Sequence, residues 1–230
     1  KDEVVGTLII YKDHDDEKCK TYPTGKSRIL NRDLADYMQT QIVEDMRQLY
    51  APEWTRRQLD NSSYAEVRHP KVPAVLLELL SHQNFVDMKY GLDPTFRFTV
   101  SRAVYKGMLK YLSNRYGVPY AVQPLPVSDM GVQFTSEGKA RISWKETEDK
   151  LEPNALAKGF VLYTRTDDGG FDTGKTVKAV LGNDGTYSTE VSLQPGHIYS
   201  FRVMAYNDGG RSFPSETVSI GMPSDGASDR

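Results

Sequence analysis

A Pro-Gly turn that runs straight into a strict alternation constrains this chain more than any other feature. From Leu193 the sequence reads Leu-Gln-Pro-Gly-His-Ile-Tyr, and Tyr199-Ser200-Phe201-Arg202-Val203-Met204-Ala205-Tyr206 then alternates with period two. Such a segment suits a strand with one face in a core and one in water, entered through a tight corner. The same alternation recurs at Ala140-Arg141-Ile142-Ser143-Trp144 and Gly159-Phe160-Val161-Leu162-Tyr163-Thr164-Arg165, with turn residues between. Short alternating strands separated by Gly, Asp and Pro predict a β-sandwich. The corner has its own physical reason: a packed Tyr199 ring sends its hydroxyl back to the backbone of the preceding turn.

The texture differs before residue 118. Residues 4–11 read as a buried strand, and over residues 27–50 Leu30, Leu34, Met38, Ile42, Met46 and Leu49 recur at helical spacing. Val72-Pro73-Ala74-Val75-Leu76-Leu77-Glu78 is an apolar run ending in a carboxylate, which is what a strand covered on both faces requires. Asp93-Pro94 supplies an N-cap and first helical residue, followed by Phe96, Val100, Val104, Met108 and Leu112 on one stripe. Strand, helix, strand, helix predicts an α/β layer with parallel strands. Pro119, Pro124 and Pro126 make the joint extended and fairly stiff. The expected organisation is therefore a domain at residues 1–117, a linker at 118–123, a second domain at 124–223 and a tail at 224–230.

Composition narrows the function classes. The chain has 230 residues, 38% hydrophobic and 26% charged, enough for two ordinary domains. Lys+Arg 29 against Asp+Glu 31 leaves a net charge of -2, with no single-sign field to favour nucleic acid. No apolar run approaches the roughly 20 residues of a membrane span. The opening KDEVVGTLII has neither an initiator Met nor a signal-peptide pattern, so the front reads as trimmed. A single cysteine, Cys19, excludes an intrachain disulfide and a multi-cysteine zinc cluster.

Leu193, Pro195, Gly196, Tyr199, Val203, Ala205, Asn207, Gly210, Ser212, Pro214 and Ser215 resemble the recurring residues of fibronectin type III domains, and Trp144 suits that family's core tryptophan. The resemblance covers about residues 120–223. It implies an all-β, immunoglobulin-like sandwich of a kind that usually serves as spacer or docking module. No Arg-Gly-Asp sequence is present to favour adhesion.

The run from Val72 through Glu78 to Asn84, with the helix that follows, resembles the C-terminal part of zinc-dependent N-acetylmuramoyl-L-alanine amidases. Gly6-Thr7-Leu8-Ile9-Ile10-Tyr11 and the helix from Ser27 are similar to earlier elements of that family. The resemblance covers about residues 4–113 and implies an α/β, partial amidase-like parallel sheet with helices. It also implies that Glu78 acts as general base and acid beside a zinc-bound water. Leu79-Leu80-Ser81-His82 departs from the family's usual Gly-Phe-Leu-Ser. Independently of family, a carboxylate at the carboxyl end of a buried strand sits where α/β sheets present ligands, and apolar surroundings there raise a carboxyl pKa. The alternative is a structural pair between Glu78 and an arginine such as Arg102. The family's zinc ligands, two His and a Glu, would all precede Lys1. Zinc is thus expected only in a fuller protein, with no metal ligand and no tightly bound cofactor in this chain.

The four histidines do not replace that set. His14 lies in Asp13-His14-Asp15-Asp16-Glu17, a run that suits a solvated loop better than a cation site. His69 precedes Pro70 and suits a surface or supporting role. His82 follows Glu78 by four residues and either lines the same cleft or makes a local loop hydrogen bond, and His197 belongs to the turn before Tyr199. Cys19 has no histidine at a recognisable spacing. Gly169-Gly170 and Gly209-Gly210 have no following helix and are not phosphate cradles.

The leading expectation is a secreted or cell-envelope peptidoglycan hydrolase of the amidase type with a fibronectin type III spacer, inactive as this fragment. The alternatives are a non-catalytic cell-surface carbohydrate-binding or spacer module, and an accessory part of a polysaccharide-degrading enzyme. Peptidoglycan or another cell-surface polysaccharide is the expected partner, and the chain is expected to be a monomer.

Overall fold

A computed structural model of the chain describes residues 4–136 and 138–222; the expected tail at 224–230 lies outside the described residues. Two compact units divide the chain, the first ending at Tyr120 and the second beginning at Ala121.

The first unit runs β1 (Leu8–Tyr11), α1 (Leu30–Leu49), β2 (Asp60–Asn61), α2 (Ala65–Arg68), β3 (Leu76–Glu78), α3 (Phe85–Leu92) and α4 (Pro94–Tyr116). Its sheet has the order β2-β1-β3. The expected parallel layer is corrected here. β1 and β2 are parallel across α1, but β3 runs antiparallel to β1, with Leu8 opposite Glu78, Ile9 opposite Leu77 and Ile10 opposite Leu76. The expected strands are also shorter. Gly6 adopts φ 88 and ends β1 on its N-terminal side, because a Cβ there would strike the Thr55 carbonyl. Pro70 and Pro73 lack the N–H that a ladder needs, and regular pairing starts only at Leu76. As an edge strand β3 keeps Leu76 and Leu77 only partly buried and Glu78 exposed, so it is not covered on both faces.

β1 is pinned by side chains as well as by neighbours. Trp54 Nε1 donates to Thr7 Oγ1 at 2.8 Å, and Gln39 Nε2 donates to the carbonyls of Thr7 and Arg57, both at 2.9 Å. Asn31 donates to the Lys12 carbonyl and accepts from Tyr22 and from Ala74 N. Burial raises the Tyr22 hydroxyl pKa, against the opposing pull of the Arg28 guanidinium over its ring.

α1 buries Leu30, Leu34, Met38, Ile42 and Met46 as its spacing predicts, while Leu49 is exposed. α4 starts on Asp93, whose side chain accepts from Thr95 N at 2.8 Å, and ends on left-handed Gly117. Its expected stripe fails past its middle. An i, i+4 series overshoots the helical repeat by about 40° per step, so Met108 and Leu112 have rotated out to solvent. The buried face follows Phe96, Val100, Ala103, Gly107 and Tyr111 instead. Gly107 lies against the α1 backbone at Met38, closer than any Cβ would allow. Beside it Lys106, wholly buried, pairs with Asp45 of α1 at 2.9 Å, and Gln41 Nε2 donates to the same carboxylate at 2.8 Å.

The second unit contains β4 (Ser128–Ser136), β5 (Lys139–Lys145), β6 (Gly159–Thr166), β7 (Lys175–Val177), β8 (Val180–Leu181), β9 (Thr186–Ser192), β10 (Ile198–Asn207), β11 (Gly210–Arg211) and β12 (Val218–Gly221). Two antiparallel sheets form, β4-β5-β9-β8 and β10 flanked by β6-β7 on one side and by β11 and β12 on the other. Alternate residues Ile142, Trp144, Phe160, Leu162, Phe201, Val203 and Ala205 point between them.

The corner works as predicted: Gln194 N donates to the Tyr199 hydroxyl at 3.1 Å. Asn207 Nδ2 donates to the Val122 and Leu156 carbonyls, clamping the start of the unit. Ser212 and Ser215 act where the chain leaves β11 and has not yet reached β12. Their hydroxyls accept from Ala205 N at 3.0 Å and Val203 N at 2.9 Å, replacing ladder bonds that the strand edge would otherwise lack.

Candidate functional site

The loop after β3 folds around a buried carboxylate. Asn84 caps α3 by accepting from Val86 N at 2.9 Å and Asp87 N at 3.2 Å. That places Asp87 one turn into α3, fully buried, where Oδ2 accepts from Ser81 N at 2.8 Å and Oδ1 from Val5 N at 3.1 Å. Asp87 thereby ties the segment before β1 to the segment after β3. Between these two walls opens a cleft of about 550 Å³ lined by Val5, Gly6, Arg57, Leu77, Glu78, Leu79, Leu80, Ser81 and His82.

The cleft thus brings Glu78 together with His82, and adds Arg57 and Ser81, which sequence reasoning missed. Arg57 arrives because its N–H donates to the Thr7 carbonyl beside β1, a pairing with no local sequence signal. Arg102 lies on α4 and is not among the residues lining the cleft. Glu78 and His82 are both exposed, so although Val5, Leu77, Leu79 and Leu80 line the same cleft they do not bury the Glu78 carboxylate. Ser81 Oγ accepts from Gln83 N at 3.3 Å, a turn role. The arrangement offers a carboxylate, an imidazole and a guanidinium to water, a set able to hold a polar ligand by hydrogen bonds.

A catalytic zinc takes three protein ligands. The cleft lining contains two side chains of suitable type, and no group of three His, Cys, Asp or Glu gathers for a metal among the described residues. These residues do not make a zinc site by themselves, and the amidase resemblance places that family's ligands before Lys1.

The other histidines occupy pairs. His14 Nδ1 lies 2.8 Å from Asp13, His69 Nδ1 lies 3.0 Å from Asp16, and His197 Nδ1 lies 2.7 Å from Asp167. Burial pushes the Asp13 carboxyl up, but hydrogen bonds from His14 and Asn61 together hold it below its usual value. Asp15 accepts from Glu17 N and Cys19 N and faces Arg28 at 3.6 Å, while Asp16 also pairs with Arg68. The acidic run is thus engaged by the chain's own cations and amides.

Comparison with known proteins bears on the second unit. The model of the fibronectin type III domain family matches residues 125–221. No curated protein matches the chain. Among solved structures, a myokine structure is 22% identical, with 44% of this chain and 99% of that chain covered and a TM-score of 0.34. The FN5 domain of Drosophila Lar is 20% identical, covering 44% and 97% with a TM-score of 0.33. The FN1-FN3 domains of chicken CNTN1 are 19% identical, covering 44% and 33% with a TM-score of 0.33. On the family match, the two-sheet register and the Tyr199 corner, residues 125–221 are a fibronectin type III domain.

Proposed function

We propose that the chain is a non-catalytic module of a secreted or cell-envelope protein, in which the fibronectin type III domain serves as a spacer. The family match over residues 125–221 carries this reading. The state of the cleft agrees with it: Glu78 is solvated and Ser81 is committed to a turn. The second reading, a peptidoglycan amidase with Glu78 as acid and base, is favoured by one observation, the meeting of Glu78, Arg57 and His82 in a single cleft.

Because the amidase reading places its zinc ligands before Lys1, the two are separated by incubating the protein extended upstream of Lys1 with purified peptidoglycan, with and without zinc, and following soluble stem peptides. The spacer reading expects no release above buffer. Zinc-dependent release that falls about 100-fold in Glu78→Gln, with thermal unfolding unchanged, would overturn it.

A further inference from the structure

We infer that the outer face of the β6-β10-β12 sheet binds an acidic, uronate-bearing polysaccharide. This goes beyond the spacer reading and uses none of the atoms of the Glu78 cleft.

The face is defined by register. Arg165 lies opposite Ser200, Tyr163 opposite Arg202 and Gly159 opposite Tyr206, while their neighbours in sequence point into the core. Arg211, opposite Tyr206 on β11, joins the same face. Residues 125–221 contain four arginines, and three of them, Arg165, Arg202 and Arg211, stand here. The domain as a whole is acidic, with 10 Lys and Arg against 13 Asp and Glu, so this clustering of cations runs against its average.

What holds these guanidinium groups matters more than their number. Three of the domain's seven other cations sit beside carboxylates: Arg141 with Glu190, Lys145 with Asp129 and Lys158 with Asp208. The three on this face rest on neutral groups. Arg165 Nη2 donates to Ser200 Oγ at 3.0 Å, Arg202 Nε to Thr217 Oγ1 at 2.6 Å and Arg211 Nη1 to the Tyr163 hydroxyl at 2.8 Å. Phe171 lies between Arg165 and Arg202, its ring centre 5.3 Å from one guanidinium carbon and 4.6 Å from the other. Among the described residues no carboxylate pairs with these three, so orientation is fixed while charge is left uncancelled, the arrangement that lets a guanidinium fork receive a carboxylate.

The aromatic rings select the class of anion. A Cβ on Gly159 would fall 2.5 Å from the Tyr206 hydroxyl and 2.6 Å from its Cζ, and one on Gly174 would fall 2.6 Å from Tyr163 Cε1. Each tyrosine therefore lies down over a glycine. Two recumbent rings beside three cations suit the C–H face and the carboxylate of a sugar acid. A peptide strand finds no main-chain edge here, since β10 has partners on both sides and β6 is paired to β10 and β7.

The test is affinity electrophoresis of the 230-residue chain in gels containing polygalacturonate, dextran or poly-glutamate. Retardation is expected in polygalacturonate, weakening with salt, and not in dextran or poly-glutamate. The double variant Arg165→Gln with Arg202→Gln should bind at least about 10-fold more weakly. Arg211→Gln, at an exposed position that leaves the fold intact, should weaken binding in the same direction, and Tyr206→Ala should do so without changing net charge. Lys139→Gln with Lys145→Gln, which removes equal charge from β5 in the other sheet, should bind as the parent does. No retardation in polygalacturonate, equal retardation in poly-glutamate, or equal loss in the lysine pair and the arginine pair would each overturn the inference.

Discussion

Replacing Lys106 by Met should unfold the first unit far below its normal temperature while leaving the second untouched. Lys106 Nζ lies 2.9 Å and 3.1 Å from the two oxygens of Asp45, in an interface between α1 and α4 where the lysine is 0% and the aspartate 4% exposed. At that distance and an effective dielectric near 20, the attraction is roughly 6 kcal/mol. Desolvating the two ions costs several kcal/mol each, so the intact pair comes close to break-even against an apolar replacement. Removing only the cation abolishes the attraction and keeps the buried carboxylate, which costs about 3–5 kcal/mol. For a unit of this size that lowers the melting temperature by on the order of 10–20 °C. Helical circular dichroism reports the first unit through α1 and α4, and the buried Trp54 and Trp144 give one fluorescence reporter per unit. Adding Asp45→Leu to Lys106→Met should restore most of the loss, short of about 1–2 kcal/mol for the Gln41 amide left without its acceptor. A single variant that loses less than about 1 kcal/mol, or a double variant no more stable than the single, would refute the reasoning.

Other perturbations test the backbone and the corner. Gly6→Ala forces a side chain into a left-handed conformation and against the Thr55 carbonyl, and should cost about 2 kcal/mol or more in thermal unfolding of the first unit. Ser215→Ala takes away the acceptor of the buried Val203 N–H and should cost the sandwich about 1–3 kcal/mol, read from Trp144 fluorescence in denaturant. The Asp167 carboxyl is held below its usual value first by the Ile198 N–H and then by its hydrogen bond with His197. Its ionised form is therefore favoured in the folded state. The stability it contributes is complete above the unfolded value of 3.8 and disappears as pH falls through the lower folded value. Asp167→Asn should accordingly flatten the acid limb of the sandwich's stability curve below about pH 4, and an unchanged limb would count against the pairing.

Where the sequence could be read, single residues carry backbone bonds that only they can make. Tyr199, Ser212 and Ser215 each hold a main-chain N–H of the sandwich, so their spacing survives in the sequence as a pattern. α1 was legible for a different reason: its buried face is broad, taking in Asn31, Gln39 and Asp45 as well as the apolar stripe, and small errors of phase do not matter. The second half of α4 was not, because its buried face there turns on Gly107 and Lys106, residues that carry no apolar signal. A glycine is buried there because a backbone must come close. A lysine is buried there because an aspartate 61 positions away waits for it. Neither reason is local.

The cleft shows the same limit. Glu78 stood out as a carboxylate closing an apolar run, but its exposure depends on β3 being an antiparallel edge strand, which periodicity does not encode. Arg57 enters through one bond to Thr7, and Asp87, which sets the width between the walls, looks in the sequence like any first-turn acid of a helix. Residues that build a site through long-range hydrogen bonds leave no spacing behind. The geometry of a cleft such as this one follows from the tertiary pairing of β1 with β3 and of Arg57 with Thr7.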